Sequence, residues 1–203
     1  MPMLTTIFRR AAGALATALT GTALLLAALL PAGCTPSEEE QLKALKFRSA
    51  LYFELAPSMV TSFAVSAQAR DIYFPITKRR FRANGYAQIA DDSFLSAEPA
   101  KVGPRDAPVP GIVIRLNERA ARAFNIAAMS LLRDGTPHVF LRVNNDIVGV
   151  HTVRAENFSG DLFFHMEGLE AADANELAAK VRALCRDLNT SIVVLRKITE
   201  ARK

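Results

Sequence analysis

Apolar and polar residues follow two different periods along the second half of the chain. Apolar runs long enough for β-strands lie at 112–116, 138–143, 147–153, 162–166 and 191–195. Helical spacing predicts one helix from an Asn117 cap to about Leu132, and a second from a capping box at Asp173–Glu176 to about Asn189. The order β-α-β-β-β-α-β predicts an α+β fold, a split β-α-β elaboration in which a mainly antiparallel sheet carries both helices on one face.

The first half of the chain contains shorter strand patterns. Residues 51–55, 62–66 and 71–76 predict three strands, and Pro75 restricts the last of them to a sheet edge or to its own end. Residues 77–110 predict a linker or long loop, because prolines and glycines are frequent in its second half. We therefore expect a short β-rich segment ahead of the main domain.

The first 33 residues have the three parts of a secretory signal. Arg9 and Arg10 supply a basic start, residues 11–33 form an uncharged run rich in Ala and Leu, and small residues precede Cys34. This run is also long enough to cross a bilayer, which takes about 20 apolar residues, so an uncleaved apolar anchor is the alternative.

The residues Leu30-Pro31-Ala32-Gly33-Cys34 resemble the lipobox of bacterial lipoproteins, although Pro31 stands where that family prefers an aliphatic residue. The resemblance implies cleavage before Cys34 and acylation of its thiol, and several acyl chains on one residue hold a protein firmly to a membrane. The polar stretch that follows is typical of a tether. Thr35 stands where lipoproteins of the inner membrane tend to carry Asp, which favours the outer membrane, facing the periplasm.

These patterns divide the chain into four parts. They are a lipoprotein signal peptide at 1–33, a lipidated tether at 34–46, a β-rich segment with a Pro-rich loop at 47–110, and an α+β domain at 111–198.

The chain has two cysteines, and acylation of Cys34 would leave Cys185 without a disulfide partner. Cys185 falls on the apolar face of the second predicted helix, which predicts a buried, small hydrophobic side chain. A reactive thiol, or a bridge to an unlipidated Cys34, is the alternative.

The charge balance does not favour nucleic acid as a partner. The chain has 25 Lys and Arg residues, and once Arg9 and Arg10 leave with the signal, 23 basic residues face 20 acidic ones, a formal charge of +3. Residues 78–82 nevertheless form a basic cluster around Phe81, which we interpret as a solvated face, with anionic lipid headgroups or an acidic partner as alternatives. Asp91–Asp92 predicts the cap of a turn, with a bound cation as the alternative.

Two histidines form a weak candidate metal site. If the hairpin between the second and third runs turns at Asn144–Asn145, His138 lies opposite His151, with both side chains on the face away from Val139. Cross-strand Cβ atoms about 5 Å apart suit two ligands of one zinc ion. A third ligand would have to come from His165 or an acidic residue, so we expect polar surface histidines and no bound metal or cofactor.

The stretch from about 110 to 184 resembles the periplasmic head of SecD, the accessory subunit of the Sec protein translocase. Five segments carry the resemblance. In chain order they are an aliphatic strand (112–116), a helix with small residues and a Phe (120–124), a hydrophobic hairpin (139–150), another strand (162–168) and an acidic helix start (175–178). The family's hairpin Asp-Gly appears here as Asn144-Asn145, and its Ser-Ala-Pro corresponds to Gly149-Val150-His151. No apolar run after residue 33 is long enough to span a membrane, so the resemblance implies a shared module rather than translocase activity.

Signature motifs of enzymes do not occur in the sequence: there is no Gly-rich phosphate loop, Gly-x-Ser-x-Gly, His-Glu-x-x-His or Cys-x-x-Cys. We therefore expect a non-catalytic periplasmic lipoprotein whose SecD-head-like domain binds a protein or peptide partner. The alternatives are a structural or assembly factor of the envelope without a ligand of its own and, third, a zinc-dependent site at His138 and His151.

Overall fold

The structure is a computed structural model that describes residue 45 and residues 47–55, 69–154 and 160–201. In these residues the chain forms nine strands, a 3₁₀ turn at Asp91–Ser93 and two α-helices. The elements are β1 (Ser49–Phe53), β2 (Arg70–Phe74), β3 (Arg79–Ala83), β4 (Ile89–Ala90), β5 (Phe94–Val102), β6 (Val109–Leu116), α1 (Glu118–Arg133), β7 (His138–Val143), β8 (Asp146–Thr152), β9 (Asp161–His165) and α2 (Ala174–Ala201). The predicted signal peptide, the predicted acylation site Cys34 and the predicted strand at 62–66 lie outside the described residues.

Seven strands form one antiparallel sheet in the order β4-β1-β7-β8-β9-β6-β5. Strands β2 and β3 form a separate antiparallel hairpin. The predicted α+β class is confirmed. Among the described residues, no helix combines the length and apolarity that a bilayer span requires.

Both faces of the sheet are covered where β7 crosses its middle. Val139 and Leu141 point into a large core shared with the two helices, the helix-side core. Phe140 points the other way, into a smaller core covered by Ile72 and Phe74 of the hairpin, the hairpin-side core. Since neighbouring residues of a strand face opposite sides, burial of both sets explains why this run is continuously apolar.

Helix α1 agrees with its prediction. The Asn117 side chain accepts a hydrogen bond from the Ala120 N–H at 2.9 Å, as an N-cap residue does. Buried residues recur at helical spacing on one face: Ala120, Phe124, Ala128 and Leu131. Gly135, at φ +70°, follows the last turn, in the left-handed region that glycine adopts without strain.

Helix α2 begins as predicted but does not end as predicted. The Asp173 carboxylate accepts from the Glu176 N–H at 2.8 Å, while the Glu176 side chain reaches back to the Ala172 N–H at 2.7 Å. The predicted stop at Asn189 and the predicted strand at 191–195 are wrong, because the helix continues through both to Ala201. Its buried positions keep one helical phase across that boundary: Val181, Cys185, Leu188, Ile192, Leu195 and Ile198.

The prediction of a linker or long loop over residues 77–110 is also wrong, since this stretch contains β3, β4, β5 and the start of β6. Strand β5 pairs with β6 on one side only. Its Ala97 N–H and C=O groups bond to the Asn189 side chain of α2, at 2.9 and 2.7 Å. Pro99 lies on the same edge, where its missing N–H removes no bond to β6, so the proline is compatible with an edge strand.

Candidate functional site

An open cleft of about 500 Å³ lies beside the β2–β3 hairpin. Its walls come from three places in the chain: Glu54 follows β1, Arg80 and Arg82 belong to β3, and Gly135 and Thr136 form the turn after α1. Phe81 and Leu55 add apolar surface. A concave site of this size and mixed character suits a ligand segment better than a flat surface would.

The hairpin is fixed to the sheet by its backbone and by its apolar side. The Leu55 N–H donates to the Arg82 carbonyl at 2.8 Å, and the Asn84 N–H donates to the Phe53 carbonyl at 2.9 Å, so β3 runs beside the end of β1. Ile72 and Phe74 are buried in the hairpin-side core. The cleft therefore has walls that are set by the fold.

A chain of polar side chains links the hairpin with β7 and with residues that follow β1 and β9. Nδ1 of His138 lies 2.6 Å from a carboxylate oxygen of Glu54, and Nη2 of Arg79 lies 2.9 Å from Nε2 of His138. The other side of the Arg79 guanidinium donates to Glu167 at 2.9 Å, and the Thr77 hydroxyl donates to the same carboxylate at 2.8 Å. We call these five residues the His138 network.

The network fixes the tautomer of His138. A guanidinium only donates, so Nε2 of His138 accepts from Arg79, and the ring proton sits on Nδ1 and is donated to Glu54. Neither ring nitrogen then has a lone pair to offer a substrate proton or a metal ion. This arrangement positions the hairpin; it does not suit general-base catalysis.

The cleft is lined by two arginines, Arg80 and Arg82, and by two carboxylates, Glu54 and Asp71. Arg82 donates to the Asp71 carboxylate at 3.1 Å, while the Arg80 guanidinium lies over the Tyr73 ring at 5.3 Å from its centroid. Among the described residues, no carboxylate forms an ion pair with Arg80. A guanidinium that has no carboxylate partner among the described residues favours ligands that carry an acidic group.

The predicted basic cluster at 78–82 is thus not a uniformly solvated face. Arg79 and Arg82 are half-buried and paired with carboxylates, whereas Lys78 and Arg80 are exposed. The two half-buried arginines are those with carboxylate partners, Glu167 for Arg79 and Asp71 for Arg82.

The predicted pairing of His138 with His151 is wrong. The strands pair His138 with Thr152 and Val139 with His151, because the register shifts by one residue next to Leu141. The two rings therefore lie on opposite faces of the sheet. His138 contacts Phe81 of the hairpin, with ring centroids 4.8 Å apart, and His151 contacts Phe164 in the helix-side core at 5.8 Å.

Both histidines are half-buried, so the expectation that they are polar surface residues is also wrong. Within the described ranges, no three His, Cys, Asp or Glu side chains are grouped as metal ligands would be.

Replacing both His138 and His151 with alanine should lower the stability of the fold, because His138 is hydrogen-bonded through both ring nitrogens.

His151 is half-buried beside the helix-side core. Nδ1 of His151 donates to the Phe163 carbonyl at 2.9 Å. Burial lowers the pKa of His151 below its ordinary value of 6.5, and the nearby charges of His165 and Arg154 lower it further, against the opposing effect of the Phe163 hydrogen bond.

We expect His151 to make the fold sensitive to mild acid. The unfolded histidine takes up a proton near pH 6.5 and the folded one only at lower pH, so between these values the unfolded state binds more protons and stability falls as pH falls. His151→Gln retains a donor for the Phe163 carbonyl but does not titrate. Denaturant unfolding at about pH 7.5 and about pH 5.5 should show a smaller loss for the variant than for the wild type; equal losses would contradict this assignment.

The Asp91–Asp92 pair does not cap the turn that it opens. The 3₁₀ turn has no side-chain cap bond, and the buried Asp91 carboxylate instead accepts from Nε of Arg48 at 2.8 Å and from the Ser49 N–H at 3.0 Å. The prediction of a cap is wrong, because the carboxylate reaches across to β1. Arg48 also neutralises the charge that a cation would need.

Cys185 is buried, as predicted, with 3% of its surface exposed. Burial raises the pKa of its thiol to about 11, with a further contribution from the negative charge of Glu98. The thiolate, which is the reactive form, is thus scarce at neutral pH.

We expect the Cys185 thiol of the folded protein not to react with a disulfide reagent such as Ellman's reagent, and to react promptly once guanidinium chloride unfolds the chain. The measurement is the release of the coloured thiolate, with Cys185→Ala as the blank. Reaction of the folded protein at the rate of a free thiol would show that the site opens.

No known protein family, curated protein or solved structure matches the chain.

Proposed function

We propose that the protein is a non-catalytic lipoprotein, anchored through Cys34 and probing the periplasm with an α+β domain that binds a protein or peptide partner in the cleft beside the hairpin. The lipobox resemblance of residues 30–34 supports the anchor and the outer-membrane location. The similarity of residues 110–184 to the SecD head supports a role in contacting exported polypeptides. The observation that carries the proposal is the cleft of about 500 Å³ with its exposed arginine.

The chemistry of the described side chains supports binding over catalysis. Both ring nitrogens of His138, the histidine nearest the cleft, are used by Glu54 and Arg79. The Cys185 thiol is buried in the helix-side core. The cationic side chains at the cleft are Arg80 and Arg82, and a guanidinium binds carboxylates well and is a poor proton acceptor.

The partner segment should carry an acidic group near an apolar one. Arg80 supplies the positive charge at the rim, and Phe81 with Leu55 supplies the apolar wall. An extended peptide can present an acidic and an apolar side chain on alternate residues, and its backbone does not need a deep pocket.

The test is photocrosslinking in living cells. A benzoylphenylalanine at Leu55 should give a discrete adduct, and the same probe at Ser130, exposed on α1, should not. Adding Arg80→Glu to the Leu55 probe should reduce the adduct at least several-fold, because it removes the cation and introduces repulsion. Equal adducts at the two positions, or an adduct indifferent to Arg80→Glu, would contradict a specific partner in the cleft.

A further inference from the structure

The turn of the β2–β3 hairpin presents apolar side chains to solvent. Ile76 in the turn is 57% exposed and Tyr73, in the strand before it, is 53% exposed. Lys78 follows in the same turn and is exposed as well. We call Tyr73, Ile76 and Lys78 the hairpin tip. We propose that the hairpin tip contacts the anionic headgroup surface of the membrane to which the protein is anchored, an inference that rests on the anchor of the proposed function.

The turn at the tip is braced by two side-chain hydrogen bonds. Lys78 has φ +53°, a left-handed conformation uncommon for a residue other than glycine. On either side of it, Thr77 and Arg79 both donate to the Glu167 carboxylate, at 2.8 and 2.9 Å. Since the turn is already ordered, docking it on a surface loses little conformational entropy.

The charge at the tip is suited to an anionic surface. The acidic side chains near the hairpin are occupied, Glu167 by Arg79 and Asp71 by Arg82. Among the described residues, no carboxylate pairs with Lys78. Basic residues close to anionic lipids are attracted to them, and tyrosine is favoured at the interface between headgroups and acyl chains.

A lipid surface fits the tip better than a protein partner does. Ile76 projects from a turn and not from the wall of the cleft, so a protein would need a pocket to receive it, whereas a bilayer accepts a single apolar side chain anywhere. Anchoring makes the contact intramolecular, and a weak contact is then sufficient.

The experiment places an environment-sensitive nitrobenzoxadiazole probe on Ile76→Cys in the mature lipoprotein, reconstituted in vesicles. Acylation occupies Cys34 and burial protects Cys185, so the new thiol takes the label. The matched control is Ile126→Cys on α1, which is 76% exposed and belongs to the other side of the sheet. Vesicles of phosphatidylcholine are compared with vesicles that also contain phosphatidylglycerol.

We expect the probe at position 76 to show a blue shift and a several-fold gain in intensity in the phosphatidylglycerol vesicles, and the probe at 126 to show neither. Adding Lys78→Glu should abolish the gain, while Arg182→Glu, the same charge change on an exposed site of α2, should leave it intact. No gain at 76, or equal gains at 76 and 126 or in the two vesicle types, would overturn the proposal.

Flotation of the vesicles separates this result from the anchor. A protein that floats with the vesicles while the probe at 76 stays in water refutes the tip contact alone. A protein that does not float refutes the anchor, and the tip contact with it. Crosslinking from Leu55 tests for the protein partner, and its result depends neither on the tip contact nor on the anchor.

Discussion

Val181→Asp is expected to destabilise the domain severely. Val181 is 1% exposed and lies in the helix-side core with Phe124 and Leu188. The change removes apolar packing and buries a carboxylate without a partner, which costs about 3–5 kcal/mol. A domain of this kind is stable by about 5–15 kcal/mol, so the loss is a large fraction of the total.

The control for this change is Arg182→Asp, one residue further along α2. Arg182 is exposed, so its replacement should alter the free energy of unfolding by no more than about 0.5 kcal/mol. Urea denaturation followed by circular dichroism measures both. Similar losses from the two variants would show that the face of α2 that packs on the sheet is assigned incorrectly.

The elements predicted most accurately are those whose sequence signals come from residues close together in the chain. The cap at Asn117 and the apolar spacing up to Leu131 defined α1, and both depend on side chains within a few residues of each other. The turn at Asn144, with φ +54°, likewise follows from the tolerance of asparagine for the left-handed region. Strand β2 ends at Phe74, two residues before the predicted end at Ile76, so Pro75 lies at the end of the strand, one of its two predicted places.

Prediction from the sequence failed where tertiary contacts decide between two secondary structures that the local sequence allows. Residues 191–195 are Ser-Ile-Val-Val-Leu, a strand pattern by composition, but Ile192 and Leu195 continue the buried phase of α2. Packing of that face outweighs the β propensity of the valines. Asn189 does not end the helix, because its amide bonds to the backbone of the edge strand β5.

The error in the histidine pair came from a β-bulge next to a glycine. Val148 has no partner between the pairs Leu141–Gly149 and Arg142–Ile147, so every later residue of β8 is displaced by one position. A Cβ at position 149 would overlap the Met166 side chain, so this site of close packing suits glycine. An isolated glycine within a strand pattern is a signal for a bulge, and it could have been used to question the register.

The His138 network was beyond sequence analysis. Its bonds join residues 84 and 88 positions apart, Glu54 with His138 and Arg79 with Glu167. Glu54 and Glu167 each come shortly after an apolar strand pattern, where polar side chains gather at the end of a sheet. Nothing in the local sequence indicates which of these side chains meet. The cleft depends on the same long-range placement of the hairpin and was missed for the same reason.

Cys34→Ser is expected to abolish acylation and to stop maturation. A serine hydroxyl does not substitute for the thiol in forming the thioether that, by resemblance to lipoproteins, precedes cleavage after Gly33. The variant should therefore accumulate as full-length precursor in the inner membrane and take up no labelled fatty acid. Cells expressing it are fractionated and the protein is followed by its size and by palmitate labelling.

Cys185→Ala is the matched control, since it removes the other cysteine of the chain and should leave labelling and processing unchanged. Acyl chains contribute about 0.8 kcal/mol for each buried methylene, so the mature protein should stay with the membrane in high salt, which releases proteins bound by charge alone. Normal labelling of the serine variant would refute the lipoprotein proposal. Mature protein confined to inner-membrane fractions would refute the outer-membrane location while leaving the proposed lipid anchor in place, because the proposal assigns the location to position 35 and the anchor to the thiol at position 34.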